Sequence, residues 1–377
     1  MAIHFNPFTT YGYESPEYFC DRVQETEQLV RLLTNGNNVA LISPRRMGKT
    51  GLIHHCFQQG IIKENYNTFL IDIYATKSLA DMVYQMGRTI IKQLKPWGRT
   101  AIDRFLQVVT SLRTGISLDG MGNASWNVDI GDIKTPEFTL DEIFAYLQGS
   151  ERPCIVAIDE FQAINGYPER NIEALLRTYV QECRNAVFIF SGSQRHMMSE
   201  MFASPARPFY QSVTTMNISS IPLDKYMNFA QHHFRAAHKT LAEEVVQRIY
   251  QKFDATTWYL QKMHNELFSL TPEGGTCTMD MYNLALQNII NSSEATYQDT
   301  LLKLTAKQVA LLTAICKDGQ VRQLTGNKFI KAHHLDTASS VQKACQALLD
   351  NQIITRNAEA YEPYDKFMAI WIRQSNN

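Results

Sequence analysis

The chain has 377 residues, of which 45% are apolar and 19% are charged, and its formal net charge is -1. This near-neutral balance excludes a protein that binds nucleic acids or membranes through its overall field, so any such role must come from a local patch. The length predicts two or three domains of a soluble globular protein.

Seven cysteines lie far apart, with no Cys-x-x-Cys spacing among them. This pattern excludes a disulfide framework or a zinc site and predicts buried thiols in a reducing compartment. The first residues lack the basic and apolar regions of a signal peptide, and no run approaches the roughly 18 apolar residues that cross a bilayer. We therefore expect a cytoplasmic protein without a membrane segment.

Four continuously apolar runs in the first two-thirds of the chain predict parallel strands that are covered on both faces. They are residues 38–43, 67–75, 154–160 and 186–193. The amphipathic stretches between them predict helices, so the fold class is α/β, a parallel sheet with helices on both faces. Before the third strand, Thr139 is the predicted N-cap of a helix, with Glu142 three residues further on as in a capping box.

The first predicted strand leads into a loop that ends in Gly48-Lys49-Thr50, followed by a predicted helix, which is the context of a P-loop. Gly48 lets the backbone approach a phosphate, Lys49 reaches the β- and γ-phosphates, and the Thr50 hydroxyl binds Mg²⁺. Ser43 replaces the first glycine of the strict pattern. A residue with a small side chain is tolerated at this position if its φ stays negative. The predicted nucleotide-binding residues are Pro44, Arg45, Arg46, Met47, Gly48, Lys49, Thr50 and Gly51.

The third predicted strand ends in two consecutive carboxylates, Asp159 and Glu160. Ligands of open α/β sheets bind at the carboxyl ends of the strands. Neighbouring strand residues point to opposite faces, so the two acids can serve different purposes. We expect Asp159 to hold Mg²⁺, directly or through water, and Glu160 to act as general base on the attacking water.

The fourth predicted strand ends in Ser191 and Ser193, near the place where a γ-phosphate or the attacking water would lie. An ordinary turn at the end of a strand is the alternative for these two serines. Arg195 and Arg207 follow, and either could stabilise transition-state charge as an arginine finger, in the same chain or in a neighbouring one. Lys49, Glu160, Ser193 and Arg207 are the predicted catalytic residues.

Three further segments differ from the apolar strands in composition and in the periodicity of their apolar residues. Residues 99–137 are rich in Gly, Asn and Asp and predict a hairpin-like excursion or a long loop. Residues 222–298 are predicted to be nearly all helical. From about residue 299, three helices and a hairpin are predicted, in the order of a winged helix. The predicted domains are therefore residues 1–215, 216–298 and 299–377.

The third predicted helix of the winged helix starts at Thr337 or Ser339 as N-cap, with Val341, Cys345, Leu348 and Leu349 on its apolar face. Its exposed face would offer Ser340, Gln342, Lys343 and Gln346, which are residue types that contact phosphates or bases. A recognition helix on DNA is one interpretation. The interpretation that we favour is protein contact or packing on the ATPase core, because one or two basic residues are few for DNA binding.

Several segments in one order carry a family resemblance: residues 6–8 (NPF), 19–29 (FCDRVQETEQL), 43–50 (SPRRMGKT), 157–164 (AIDEFQAI) and 188–198 (FIFSGSQRHMM). With them the chain resembles the archaeal-type ATPases of the STAND class of AAA-type proteins, which are also widespread in Bacteroides-like bacteria. The C-terminal segment that starts at Ser339 adds to the resemblance.

The resemblance implies a P-loop ATPase domain, an α-helical lid and a winged-helix domain, with ATP and Mg²⁺ bound and slow hydrolysis used as a switch. A strap before the first strand would help to hold adenine through Asn6, Pro7, Phe8 and Arg22, although these residues could equally form a purely structural strap. The family's lid usually carries Gly-x-Pro, and here Thr256-Thr257-Trp258 stands in its place. We expect ATP and ADP as ligands, a protein partner, DNA as a candidate partner of the winged helix, and a nucleotide-dependent homo-oligomer.

Overall fold

The computed structural model of the chain describes residues 6–118, 124–126, 133, 135–357 and 360–375. The chain divides into two compact units. The first, called here the sheet unit, holds residues 7–229 and 255–261. The second, called the helical unit, holds Asn6, residues 230–254 and the described part of residues 262–377.

The sheet unit alternates strands and helices along the chain, as the sequence predicts. Its elements are α1 Val23–Thr34, β1 Val39–Ile42, α2 Lys49–Phe57, α3 Gly60–Asn65, β2 Asn67–Asp72, α4 Leu79–Leu94, α5 Arg99–Val108, β3 Ile116–Leu118, β4 Ala124–Trp126, α6 Pro136–Gln148, β5 Cys154–Asp159, α7 Ile172–Glu182, β6 Ala186–Gly192, α8 Arg195–Ala203 and β7 Thr214–Asn217. Over the described residues, a five-stranded parallel sheet forms in the order β2-β5-β6-β1-β7.

The sheet is covered on both faces, which confirms the predicted fold class. Ala40 and Ile42 of β1 belong to one hydrophobic cluster, whereas Val39 and Leu41 belong to the other. Because successive strand residues point to opposite faces, this division shows that both faces of β1 are buried. Every residue of β1 and of β5 is buried, which explains why these strands read as continuous apolar runs.

The four predicted strands are confirmed, but the fifth strand was missed. β7 lies at the edge of the sheet, and only Met216 of its four residues is buried. An edge strand with exposed threonines lacks the apolar signal on which the prediction depended.

The excursion of residues 99–137 is partly a helix and partly a hairpin. Its first quarter forms α5, and β3 pairs with β4 in antiparallel register, with Ile116 opposite Trp126. The remainder of the predicted excursion includes residues 119–123, 127–132 and 134, which lie outside the described residues.

The capping box predicted at Thr139 was wrong. α6 begins at Pro136 with Thr135 as N-cap, so Thr139 lies inside the helix and is buried. The Glu142 carboxylate instead accepts hydrogen bonds from the backbone N–H groups of Thr110 and Ser111, at 3.0 Å each. Both hydroxyls of these residues also donate to it. A local motif was overridden by a contact with a segment about thirty residues away.

The helical unit consists mainly of helices, as predicted. The elements from residue 223 onward are α9 Leu223–Ala236, β8 Thr240–Leu241, α10 Glu243–Lys252, α11 Thr257–Leu270, β9 Thr276–Cys277, α12 Met279–Leu302, α13 Ala306–Asp318, α14 Asn327–Ala332, α15 Ala338–Asp350, β10 Ile354–Asn357, β11 Ala360–Pro363 and α16 Lys366–Ser375. The first residues of α9 and of α11 belong to the sheet unit. None of the helices in the described ranges is long and apolar enough to cross a membrane.

The winged helix is formed by α13, α14, α15 and the antiparallel pair β10 and β11. Thr337 caps α15 by accepting a hydrogen bond from the Ser340 N–H at 3.3 Å. Val341, Cys345 and Leu348 are buried, as the spacing predicts, whereas Leu349 is half-buried. The last segment, which we included in the predicted hairpin, is instead the helix α16.

The substitution Glu142→Ala is expected to lower the free energy of unfolding by about 2 kcal/mol, because two backbone donors lose a charged acceptor at a buried position. Chemical denaturation measures this change. The matched control is Glu137→Ala, an exposed carboxylate in the first turn of the same helix, for which a change within about 0.5 kcal/mol is expected. Equal losses for the two variants would contradict the assignment.

Candidate functional site

The phosphate loop leaves β1 at Ser43 and enters α2 at Lys49. Two of its residues, Arg46 and Gly48, have left-handed backbone conformations with φ of 68° and 89°. Gly48 adopts this conformation without strain because it lacks a Cβ. Ser43 is absent from the residues with positive φ, so it satisfies the condition that a serine at this position requires.

Lys49 is buried, and its ammonium group lies against the start of the loop. Its Nζ is 3.1 Å from the Ser43 carbonyl oxygen, 3.4 Å from the Ser43 hydroxyl and 3.2 Å from the Pro44 carbonyl oxygen. Burial lowers the pKa of Lys49, whereas the charges of Glu160 and Asp159 raise it. The serine hydroxyl therefore adds an acceptor for the lysine that a glycine would not supply.

Arg22 is buried beside the loop and fixes its backbone. Its guanidinium donates to the Met47 carbonyl at 3.0 Å and to the Ser219 carbonyl at 2.7 Å, and it pairs with Glu25 at 2.8 Å. The structure therefore places Arg22 at the phosphate loop, where it joins α1 to Met47.

The other residues of the predicted strap have different surroundings. Phe8 is fully buried and packs edge-to-face on Phe229, with ring centroids 5.9 Å apart. Pro7 is also buried in the sheet unit. Asn6 belongs to the helical unit, where its side-chain amide donates to the Asn265 carbonyl at 2.8 Å.

Thr50 and Asp159, the predicted magnesium ligands, lie in direct contact. The Thr50 hydroxyl donates to Oδ2 of Asp159 at 2.6 Å, and Oδ1 accepts the Glu160 N–H at 3.0 Å. Hydroxyl and carboxylate oxygens are the ligands that Mg²⁺ prefers, so this pair fits the ion.

Glu160 and Ser193, both predicted to be catalytic, are also brought together. Oε2 of Glu160 accepts a hydrogen bond from the Ser193 hydroxyl at 2.6 Å and another from the side-chain amide of Gln162. Glu160 has a left-handed backbone with φ of 56°, which turns the chain sharply after β5. Strain of this kind in a non-glycine residue is concentrated at functional sites.

Two residues of this region were missed by the sequence analysis. Gln162 could have been noticed only as a polar residue among the apolar neighbours of its short 3-10 turn. Asp72 ends β2 and lies in register with Asp159. Although the side chain of Asp72 is exposed, partial desolvation by its neighbours raises its pKa, and the charges of Asp159 and Glu160 act in the same direction. The signal for Asp72 was an acid inside the apolar run of residues 67–75.

The two predicted arginine fingers differ in their contacts. Arg207 pairs with Glu173 at 2.9 Å and donates to the Asn165 side chain at 2.7 Å. These contacts hold its guanidinium on the segment that follows Glu160. Arg195 begins α8 and is exposed.

Gly192 leaves room for two side chains, that of Gln162, which donates to Glu160, and that of Met198. A Cβ at this position would lie 2.4 Å from Oε1 of Gln162 and 2.3 Å from the Met198 sulfur. Contacts this close require the neighbours to move. Any larger residue at this position would therefore displace the ends of the Gln162 and Met198 side chains, although the φ of Gly192 is not positive.

Comparisons with known proteins identify the family of the chain. Residues 19–263 match a family described as an ATPase domain predominantly from Archaea, and residues 295–374 match a probable winged helix domain. Because the first match spans more than half of the chain, the protein belongs to this family of archaeal-type ATPases. A comparison with curated proteins gives no match.

Solved structures show the same fold. The chain is similar to the Walker-type ATPase of Pyrococcus abyssi, with a TM-score of 0.64 and 16% identity over 97% of this chain and 99% of that chain. It is also similar to the ORC2 protein of Aeropyrum pernix in its ADPNP–ADP complexes, with a TM-score of 0.58 and 12% identity over 98% of both chains. At these identities the similarity shows the fold alone, which is that of a P-loop ATPase.

The substitution Gly192→Ala is expected to lower ATP turnover by about a hundredfold, because displacement of Gln162 by roughly 1 Å moves the Glu160 carboxylate. ATP affinity should change much less than turnover. A coupled assay of phosphate release measures turnover, and calorimetry measures affinity. Gly60→Ala is the control, since its Cβ would meet only an ordinary contact at 3.9 Å. Unchanged turnover in Gly192→Ala would refute the steric argument.

Proposed function

We propose that the protein is a Mg²⁺-dependent ATP-binding and ATP-hydrolysing molecular switch of the STAND type. The observation that carries this proposal is the meeting of two pairs at one edge of the sheet, Thr50 with Asp159 and Glu160 with Ser193. The first pair provides oxygen ligands beside a phosphate loop, and the second provides an oriented carboxylate.

In this mechanism each residue has a distinct task. Lys49 would exchange the carbonyl oxygens of Ser43 and Pro44 for the β- and γ-phosphate oxygens of ATP. Glu160, held by Ser193 and Gln162, would accept a proton from the water that attacks the γ-phosphorus. Magnesium, held by Thr50 and Asp159, would neutralise phosphate charge.

The remaining features concern the surroundings of the phosphates. Five further residues, Pro44, Arg45, Arg46, Met47 and Gly51, complete the phosphate loop. Within the sheet unit, Pro7, Phe8 and Arg22 are the proposed support for adenine. The exposed Arg195 is the better placed of the two arginines to act on a neighbouring copy of the chain in a nucleotide-dependent homo-oligomer. Arg207, held by Glu173, would have to exchange partners to act as a finger.

The switch would work through slow turnover, with the ATP-bound and ADP-bound forms offering different surfaces to a protein partner. In the predicted three-domain division, with boundaries at residues 215 and 298, the helical lid and the winged helix would carry this output. The ORC2 structures with ADPNP and ADP support nucleotide binding by this fold. A cytoplasmic location is part of the proposal.

Glu160→Gln is expected to bind ATP with an affinity within about twofold of the original chain but to lose turnover by about a thousandfold, because the amide cannot accept the proton. Lys49→Ala is expected to lose ATP affinity, because a charged contact with the phosphates is removed. Calorimetry and phosphate release separate the two effects. Full turnover in Glu160→Gln would exclude its role as base, and full affinity in Lys49→Ala would exclude the phosphate loop.

The alternative function is a DNA-binding regulator in which ATP turnover is incidental. Exposed Gln342, Lys343 and Gln346 on α15 favour it. The small number of available basic residues argues against it. Lys343 is the single basic residue of α15, and Lys307 is already paired with Asp336 at 2.7 Å.

We expect weak binding of duplex DNA, with a slope of log affinity against log salt below about two, because each phosphate contact contributes about 0.9. Fluorescence anisotropy at several salt concentrations measures the slope. A steeper slope that falls by about one unit in Lys343→Ala would favour the regulator. Lys92→Ala, which removes an exposed basic residue of α4 in the sheet unit, is the control.

A further inference from the structure

Arg46 occupies a strained position in the phosphate loop. Its φ of 68° lies in the left-handed region, where a Cβ crowds the backbone. For a residue other than glycine, this conformation disfavours the loop by roughly a factor of ten, unless other contacts offset the strain. Some feature of the fold must therefore stabilise Arg46.

The backbone of the loop is bonded to the start of α11, within the sheet unit. The Trp258 N–H donates to the Arg46 carbonyl at 3.0 Å, and the Thr257 hydroxyl is 3.4 Å from the Met47 carbonyl. Thr257 and Trp258 belong to the segment Thr256-Thr257-Trp258, which stands in place of the Gly-x-Pro of the family that the chain resembles.

The side chain of Arg46 is held by two aromatic rings of the same helix. The guanidinium carbon lies 4.6 Å from the centroid of the Trp258 ring and 5.0 Å from that of Tyr259. The guanidinium also donates a hydrogen bond to the Tyr259 hydroxyl. Each contact of a guanidinium with an aromatic face is attractive, and more so where water is excluded.

The two rings are themselves fixed in place. Tyr259 is buried, and the Trp258 indole N–H donates to the Thr10 carbonyl at 3.2 Å. The rings contact each other edge-to-face, with centroids 5.1 Å apart. Arg46 therefore meets a preformed surface.

The neighbouring Arg45 provides an internal comparison. Its guanidinium lies 4.7 Å from the Tyr74 ring centroid, which is a similar contact. Arg45 is not among the residues with positive φ, however. The contact of Arg45 with Tyr74 has no left-handed residue to support.

We propose that Trp258 and Tyr259 are positioning residues for nucleotide binding, which clamp Arg46 in its left-handed conformation and so preset the phosphate loop. The inference rests on the proposed function for the identity of the ligand. Since the loop and the first turn of α11 share these bonds, a phosphate ligand that orders one must stabilise the other.

A double-mutant cycle tests the clamp, because glycine adopts a positive φ without strain. Trp258→Ala is expected to weaken ADPNP affinity about tenfold in the otherwise unchanged chain. In the Arg46→Gly background the same substitution should change affinity by less than about twofold. The urea midpoint without nucleotide should show the same dependence on background. Calorimetry and urea unfolding of the full chain measure both quantities.

Tyr74→Ala is the matched control, since it removes a ring from the adjacent arginine. Its effect should be the same with and without Arg46→Gly. Losses for Trp258→Ala that are equal in both backgrounds would overturn the clamp.

Two further outcomes remain decisive. If Trp258→Ala does not fold, Trp258→Phe replaces it in the cycle; this variant keeps a smaller ring and loses the bond to Thr10, and its smaller effect must again disappear with Arg46→Gly. If the unchanged chain binds no nucleotide, the proposed function fails, while the cycle on the urea midpoint still supports or overturns the clamp.

Discussion

The hydrogen bond from Thr50 to Asp159 joins residues 109 positions apart and defines the place where the site forms. It exists because β1 and β5 are parallel strands of one sheet, so their carboxyl ends lie on the same side. β6 lies between these two strands, so the residue that follows it falls between the phosphate loop and Glu160. The contact of Ser193 with Glu160 is thus a consequence of strand order. Reordering the strands would separate these groups even if every motif remained.

The sequence predicts the elements of this sheet where burial is complete. The runs that became β1 and β5 are apolar at every position, since both of their faces are covered. The sequence did not predict β7, because this edge strand has only one buried side chain, that of Met216, and so lacks an apolar run. At Thr139 and Glu142 the sequence instead predicted a capping box that does not form, because Glu142 makes contacts with residues distant in the sequence. A sequence pattern reports local preference, and only the folded chain shows that Glu142 has backbone donors at Thr110 and Ser111.

The residues of the candidate site likewise fall into two groups, those that the sequence predicts and those that only the structure reveals. Lys49, Thr50, Asp159 and Glu160 are found from their motifs, because the chemistry of phosphate binding demands these residue types at these spacings. Gln162 and Asp72 carry no such signature, since their roles come from a hydrogen bond and from strand register. The aromatic partners of Arg46 lie more than two hundred residues away and could not have been paired with it from spacing.

The thiols offer a practical consequence. All seven cysteines are buried and free, and burial raises the pKa of Cys154 to about 11 and those of Cys56 and Cys316 to about 12. Thiols react as thiolates, so these side chains are both shielded and chemically quiet near neutral pH. A cysteine introduced at an exposed position would therefore outcompete the native ones for a maleimide dye. Spectroscopic probes can be attached to this protein without first removing its own sulfhydryl groups.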